Sequence, residues 1–379
     1  MENKKKKLVI LFHGGHLAYS PTVIGLYDFL SPHFEVTIVA HHPDYFDQQQ
    51  LNNRNVIYYK GFTQPGSFVD KLLFKTLFFF SKTIRHFSNE QRGAAEYFQV
   101  FVPVKKILQQ ISPQHIIAVD HANLFYCRLL NRKAEFLSLE IQPADAYDAD
   151  RPLGPVNTVI IQNKERYRYL FGDRVFKTFF IPNAPVYKKM EQLAEKKGLV
   201  YCGTAWDAFG FYHCLEFLKA FPAETMTVRG AMLAADKKRI QEEYSGLLSQ
   251  NRLRIKDDYI DDAAVVSFLQ PFRIGFCFYN FSIPAINTFN YHTAPSGKLF
   301  KYLAAGVPVV GMDIPGLQLV KENKCGVLIS DLSPESIHDA ICEIEKEYEM
   351  YSANCLRIAG QNSFDKAVEP FVKYLLGSA

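Results

Sequence analysis

Ser296, Gly297 and Lys298 are the residues of this 379-residue chain whose types and spacing best suit a phosphate. A serine just before a helix is a good N-cap, and a glycine beside it lets a ligand approach the first free N–H groups, where the helix dipole is positive. Lys298 adds a mobile cation in the first turn, which the dipole alone does not favour there. The frame is Thr293-Ala-Pro-Ser-Gly-Lys-Leu-Phe-Lys-Tyr-Leu-Ala-Ala-Gly-Val-Pro-Val-Val-Gly311. Pro295 stiffens the approach, Leu299, Phe300 and Leu303 form an apolar helical face, and Gly306 closes the helix. Val307 to Val310 then reads as a short buried strand, and Ile274 to Tyr279 as the strand before the helix. A helix that starts at the carboxyl edge of a parallel sheet is suited to a diphosphate.

The other polar residues fall where strands end. Leu8 to Phe12, Glu35 to Ala40, Asn55 to Tyr59, His115 to Val119, Glu135 to Glu140, Thr158 to Ile161 and Phe176 to Ile181 alternate with helical patterns. That rhythm predicts a parallel sheet with helices on both faces. His13 and His16 follow the first strand with Gly14 and Gly15 between them, His41 and His42 follow the second, Asp120 and His121 the fourth, and Glu140 ends the fifth. The ends of parallel strands line one crevice, so these groups converge in space, where a histidine or carboxylate deprotonates an acceptor hydroxyl or steadies an oxocarbenium-like transition state. The bland alternative is that they cap helices or face water. Asp120 and His16 are the candidates for the chemistry. The mixed histidine spacing fits no standard metal-ligand pattern.

In the second half, Gly198 to Gly203 reads as a strand, with Trp206 in the turn that follows either at a cleft or as a core or interface anchor. Thr225 to Gly230 delivers Arg229 to the same edge, where a guanidinium forms charge-assisted bonds to a diphosphate and assists its departure. Arg252 to Tyr259 reads as a further strand, with the aromatic at its end suited to packing. Asn287, Asn290, Tyr291 and His292 supply the mixed donors and acceptors that a sugar needs.

Composition bounds the rest. Hydrophobic residues make up 48% and charged residues 22%, enough for two cores over this length, and a net charge of +4 does not argue for nucleic acid. Seven cysteines without a CxxC pair suggest reduced thiols in a cytoplasmic protein. Lys4 to Lys7 precede an apolar run too short for a signal peptide, and no stretch has transmembrane length. Asp70 to Phe87 reads as an amphipathic helix with Lys71, Lys75, Lys82 and Arg85 on one side. It is a solvated face over a core or a contact with the inner face of an anionic membrane. Asp145 to Pro155 reads as a surface loop, and Tyr187 to Lys197 as a linker.

The stretch from Thr293 to Gly311 resembles the nucleotide-binding segment of GT-B glycosyltransferases, in particular the broad group that includes the retaining family-four enzymes. Met312 to Gly316 and Gly326 to Ile329 continue the resemblance, and Phe180-Ile-Pro-Asn-Ala-Pro185 resembles the segment opening the interdomain hinge, with Ala184 in place of a glycine. Three further departures stand out. Thr293 and Lys301 occupy positions where those enzymes carry glutamates associated with donor ribose and sugar, and the turn after Gly203 lacks their arginine and lysine. The resemblance implies two Rossmann-like doubly wound α/β domains facing across a central cleft. Residues 1–186 would bind an acceptor and 187–359 the donor, with a C-terminal helix from about 360 to 379 packing back on the first. It implies metal-independent transfer from a UDP- or GDP-sugar to a glycan or lipid-linked acceptor, in surface polysaccharide or glycolipid synthesis, with no cofactor. Gly14, Gly15, His121 and Glu140 would then face the acceptor, the Gly203 backbone and Thr204 the donor phosphates, and Tyr259 the nucleotide base. The rivals are a nucleotide-sugar 2-epimerase and a catalytically silent partner protein of the same fold.

Overall fold

Short apolar runs with β-branched residues, each followed by a polar turn, build strands buried on both faces. The computed structural model describes residues 5–13, 17, 20–41, 51, 53–59, 103–141, 156–186, 195–258, 260 and 262–377. Gly14, Gly15, His16, His42, Tyr259, the segment Asp70 to Phe87 expected to be a helix with Lys71, Lys75, Lys82 and Arg85, and the segment Asp145 to Pro155 expected to be a loop lie outside the described residues.

The chain divides into two compact units, one made of residues 1–181 and 368–379, the other of 182–367. Unit 1 holds strands β1 (Lys7–Phe12), β2 (Glu35–His41), β3 (Val56–Tyr59), β4 (His115–Val119), β5 (Ala134–Ser138), β6 (Val156–Ile161) and β7 (Lys177–Phe180). They form one sheet in the order β3-β2-β1-β4-β5-β6-β7, and every neighbouring pair is parallel. Three of its helices follow strands of this sheet. α1 (Pro21–Leu30) starts with a proline, which has no N–H to leave unsatisfied in a first turn. α2 (Asp120–Leu129) begins directly on the end of β4, and α3 (Lys164–Phe171) is capped by the Asn163 side chain, which accepts from the Arg166 amide.

Unit 2 holds β8 (Leu199–Cys202), β9 (Met226–Arg229), β10 (Leu253–Lys256), β11 (Ile274–Cys277), β12 (Val309–Met312) and β13 (Gly326–Ile329). Their order is β10-β9-β8-β11-β12-β13, again parallel throughout. α4 (Phe211–Ala220), α5 (Phe289–Thr293) and α6 (Gly297–Ala304) accompany it. Both sheets are therefore doubly wound, as the strand rhythm predicts.

Several strand boundaries differ from the sequence expectation, and two of them have a clear cause. Pro308 cannot donate to the ladder, so the strand after α6 starts at Val309, not Val307, while Gly306 ends the helix at φ 63°. The strand expected to run to Tyr259 stops at Lys256, because Asp257 and Asp258 turn aside to pair with Lys237 and Arg229. The core of unit 2 explains one glycine. The Tyr302 hydroxyl of α6 accepts from the Cys202 amide at 2.8 Å, and a Cβ on Gly275 would lie 2.7 Å from the Tyr302 ring. Among the described residues no helix is long and apolar enough to cross a membrane.

Candidate functional site

A doubly wound sheet binds ligands where the strand order reverses, outside the carboxyl ends of the strands. In unit 2 that point lies between β8 and β11. Gly203 leaves β8 at φ 137° and Gly230 leaves β9 at φ 151°, a region that glycine alone enters without strain. The two turns touch. A Cβ on Gly230 would lie 2.0 Å from the Gly203 carbonyl oxygen, and one on Gly203 would lie 3.0 Å from Lys298 Cδ. The Gly203 amide donates to the Arg229 carbonyl at 2.8 Å, and the Tyr201 hydroxyl donates to the carbonyls of Thr204 and Phe209. This network fixes a side-chain-free shelf beside α6. Ser296 is buried at the N-cap position, yet its side chain does not cap the helix. A Cβ on Gly297 would meet the Asn183 amide nitrogen at 2.7 Å.

Lys298 is not the mobile cation that its place in the first turn suggests. Its stem passes under Gly203, and its Nζ sits 3.2 Å from the Tyr201 hydroxyl, 4.4 Å from the centre of the Tyr201 ring and 5.4 Å from that of Phe209. Burial lowers its pKa, and the ring faces compensate part of the lost hydration. Arg229 is buried at the end of β9, with a terminal nitrogen 2.5 Å from Asp258 Oδ2 and its guanidinium carbon 4.8 Å from the Phe268 ring centre. Its Nε is buried with no hydrogen-bond partner among the described residues. Because the Asp258 carboxylate is largely exposed, an arriving phosphate competes with a partner that water also solvates.

The sugar-recognition residues expected on the preceding loop are partly engaged. Asn290 is buried, and its carbonyl accepts from the Ala294 amide. His292 stacks on Phe281 at 4.1 Å with the rings 6° apart, and its Nε2 lies 2.9 Å from Asn287 Oδ1. Thr293 turns its hydroxyl back onto the Phe289 carbonyl. Trp206 is 37% exposed and stacked nearly parallel on Phe209, so it is not a core anchor. Its position continues an aromatic set in which Phe209 meets Tyr279 and Tyr291.

In unit 1 the strand order reverses between β1 and β4. His13, immediately after β1, places Nδ1 3.1 Å from the Tyr59 hydroxyl, and its ring centre lies 5.4 Å from that of His41 and 6.2 Å from that of Tyr126. Burial, and secondarily the His41 ring, lower its pKa to about 4, so it is neutral near pH 7. Asp120 opens α2 at φ 58°, a left-handed conformation that aspartate tolerates better than most residues. Its Oδ1 accepts from the amides of Leu139 at 2.7 Å and Glu140 at 2.9 Å. Burial raises its pKa to about 7, with the Glu140 charge adding to the rise, while the two amides and the buried Arg166 oppose it. What β5 brings to Asp120 is thus the backbone of Glu140, whose side chain is exposed; His121, next along α2, is half-buried. Among the described residues no group of three or more histidine, cysteine or acidic side chains is placed to hold a metal ion.

Sequence reasoning missed Tyr59, Tyr201 and Gly230 as parts of these sites. Gly230 carried a signal, a glycine directly after a strand-ending arginine. Tyr201 and Tyr59 carried none, since a tyrosine inside an apolar run reads as packing.

No protein-family model matches the chain, and no curated protein does. Solved structures match over nearly its whole length. HepE of Anabaena in complex with UDP-glucose is 14% identical with a TM-score of 0.67, covering 98% of this chain and 100% of that one. Sucrose-phosphate synthase of Thermosynechococcus elongatus is 12% identical with a TM-score of 0.68, covering 99% and 100%. A putative UDP-N-acetylglucosamine 2-epimerase of Listeria monocytogenes is 10% identical with a TM-score of 0.57, covering 93% and 91%. The chain has the fold of the GT-B glycosyltransferases.

Proposed function

We propose that the protein is a glycosyltransferase that takes its sugar from a nucleotide-diphospho-sugar, bound by unit 2, and gives it to a hydroxyl of a glycan or lipid-linked acceptor. The observation that carries this reading is the glycine shelf, where Gly203 and Gly230 meet beside the uncapped start of α6. Backbone N–H groups at such a place hold a diphosphate without any side chain between. HepE, with which the chain shares its fold, was solved with UDP and with UDP-glucose, so UDP is the first nucleotide to test.

In this reading Arg229 exchanges Asp258 for the β-phosphate as negative charge builds on the departing diphosphate, which is where a preorganised cation helps most. Lys298 acts from below, holding the Gly203 turn in place through its stem and adding positive potential. Asp120 in unit 1 takes the acceptor proton. Its affinity for protons, near neutrality, suits a group that must be ionised to accept one and then release it. Sugar hydroxyls meet the loop around Asn287 and His292. No cofactor or metal ion takes part in the reading, and placement at the inner face of a membrane belongs to it only if the acceptor is lipid-linked.

The test is a thermal-shift titration of the intact protein with UDP, GDP, CMP and their sugar conjugates, followed by product analysis with the best donor. A ligand that binds only the folded state stabilises it by about 2.7 kcal/mol at a hundredfold excess over Kd and so raises the melting temperature. Selective stabilisation by one nucleotide, lost in both Gly297→Asp and Arg229→Ala, supports the donor site. Release of a C2-epimerised sugar would replace transfer with the epimerase reading. Binding with no turnover in any acceptor screen would favour the silent partner.

A further inference from the structure

The outer edge of the unit 1 sheet carries a second surface with chemistry of its own. β7 is the last strand there, and its two faces are covered differently. Phe179 packs on Phe371 and Tyr374 of the C-terminal helix Phe364–Gly377 at 5.3 and 5.6 Å, and Lys177 lies over the Tyr374 ring at 4.3 Å. Thr178 and Phe180 alternate to the opposite face. They line an open pocket of about 520 Å³ against α3 and residues 172–176.

Three cations border that pocket, Lys164, Arg168 and Arg174, against one acid, Asp173. Lys164 and Arg168 make no ion pair among the described residues. The wall is fixed. The Tyr167 hydroxyl donates to the Arg174 carbonyl at 2.7 Å and accepts from the Phe176 amide at 3.0 Å. Between those two anchors Val175 is turned outward and is 94% exposed, while Phe180 is 40% exposed. A single exposed valine is ordinary, but one held out by a clamp beside two such cations is a specific arrangement.

We propose that this pocket binds the phosphate headgroup of an anionic lipid, with Val175 and Phe180 entering the interfacial layer beside it. A soluble phosphate would engage the cations and leave both apolar side chains in water. An anionic bilayer surface uses the two together, since basic side chains meet its negative potential and short apolar ones bury at the headgroup boundary. The surface belongs to unit 1 alone and does not depend on the donor site.

The experiment is co-sedimentation of the full-length protein with phosphatidylcholine vesicles, with and without phosphatidylglycerol. Wild type is compared with Lys164→Glu/Arg168→Glu and, separately, with Val175→Asp. All three positions are at the surface, and equal melting temperatures confirm folding. The expected result is retention by the anionic vesicles only, reduced about tenfold or more by the double charge reversal and clearly reduced by Val175→Asp. Wild type that fails to bind anionic vesicles overturns the proposal, as do folded variants that bind as well as wild type. In a parallel arm, inorganic phosphate is titrated against melting temperature without vesicles. Stabilisation lost in the double variant but unchanged in Val175→Asp, with no difference in vesicle binding, would assign the pocket to a soluble phosphate and overturn the lipid reading.

Discussion

Asp120 and His13 stand at the same edge of one sheet and respond to burial with opposite signs. The folded Asp120 carboxyl keeps its proton up to about 7, whereas an unfolded aspartate releases it near 3.8. The stability this gives is complete below 3.8 and is lost as pH rises through about 7. His13 is protonated near 6.5 when unfolded and only near 4 when folded. Its stability is complete above 6.5 and is lost as pH falls through about 4. Removing one at a time separates them. Asp120→Asn keeps an oxygen for the Leu139 and Glu140 amides and tolerates the left-handed backbone, so its urea midpoint should fall less than that of wild type between pH 4 and 7. A wild-type slope retained in the variant would mean that the carboxyl titrates normally. Catalysis gives a second readout. If Asp120 takes the acceptor proton, kcat/KM rises with pH through an ionisation near 7, and Asp120→Asn loses about 10²–10⁴-fold together with that limb. An unaltered pH profile at any rate would assign the proton transfer elsewhere.

At the scale of elements, the donor shelf depends on two turns packed backbone to backbone. Gly230→Ala puts a methyl 2.0 Å from the Gly203 carbonyl at a φ of 151°, so the β9 turn must move. The expected cost is roughly 1–3 kcal/mol of stability, with loss of nucleotide binding beyond what the stability change explains. Gly246→Ala is the control, since a Cβ there meets nothing within 4 Å and the position is helical; it should leave binding intact. Equal nucleotide affinity in Gly230→Ala would separate the shelf from the ligand. The strands that lead to this shelf were legible because buried parallel strands are continuous apolar runs, and Gly198 to Gly203 and Ile274 to Tyr279 need no partner to be read. Gly306 was legible as a helix end for the same local reason. What the sequence did not reveal is where long side chains go. Lys298 reads as a free charge until the Tyr201 and Phe209 rings, distant in sequence, are seen against it. Arg229 likewise reads as unpartnered until the chain after β10 turns and presents Asp258. Such pairings depend on which strands are neighbours, and that is a property of the sheet, not of any window of residues.

The chain leaves unit 1 after residue 181 and returns to it at 368, so the stability of the first unit rests in part on residues far from the rest of it in sequence. Val368, Phe371 and Leu375 are fully buried, and Phe371 meets Phe179 on β7. Burying side chains of this size is worth about 1.5–3 kcal/mol each. Truncation after Ala367 should therefore destabilise unit 1 by several kcal/mol, a large part of what a domain of this size has. Unit 2 should be spared, and the sequence provides its own reporter, because the single tryptophan, Trp206, lies there. In denaturant the tryptophan fluorescence midpoint of the truncated protein should match that of the full chain, while the far-ultraviolet circular dichroism splits into two steps with the first at lower denaturant. A nucleotide bound by unit 2 would then move the fluorescence step and leave the early step where it was. If instead both probes shift together on truncation, the two units unfold as one cooperative body, and the effects of ligands and substitutions in either one must be read as properties of the whole.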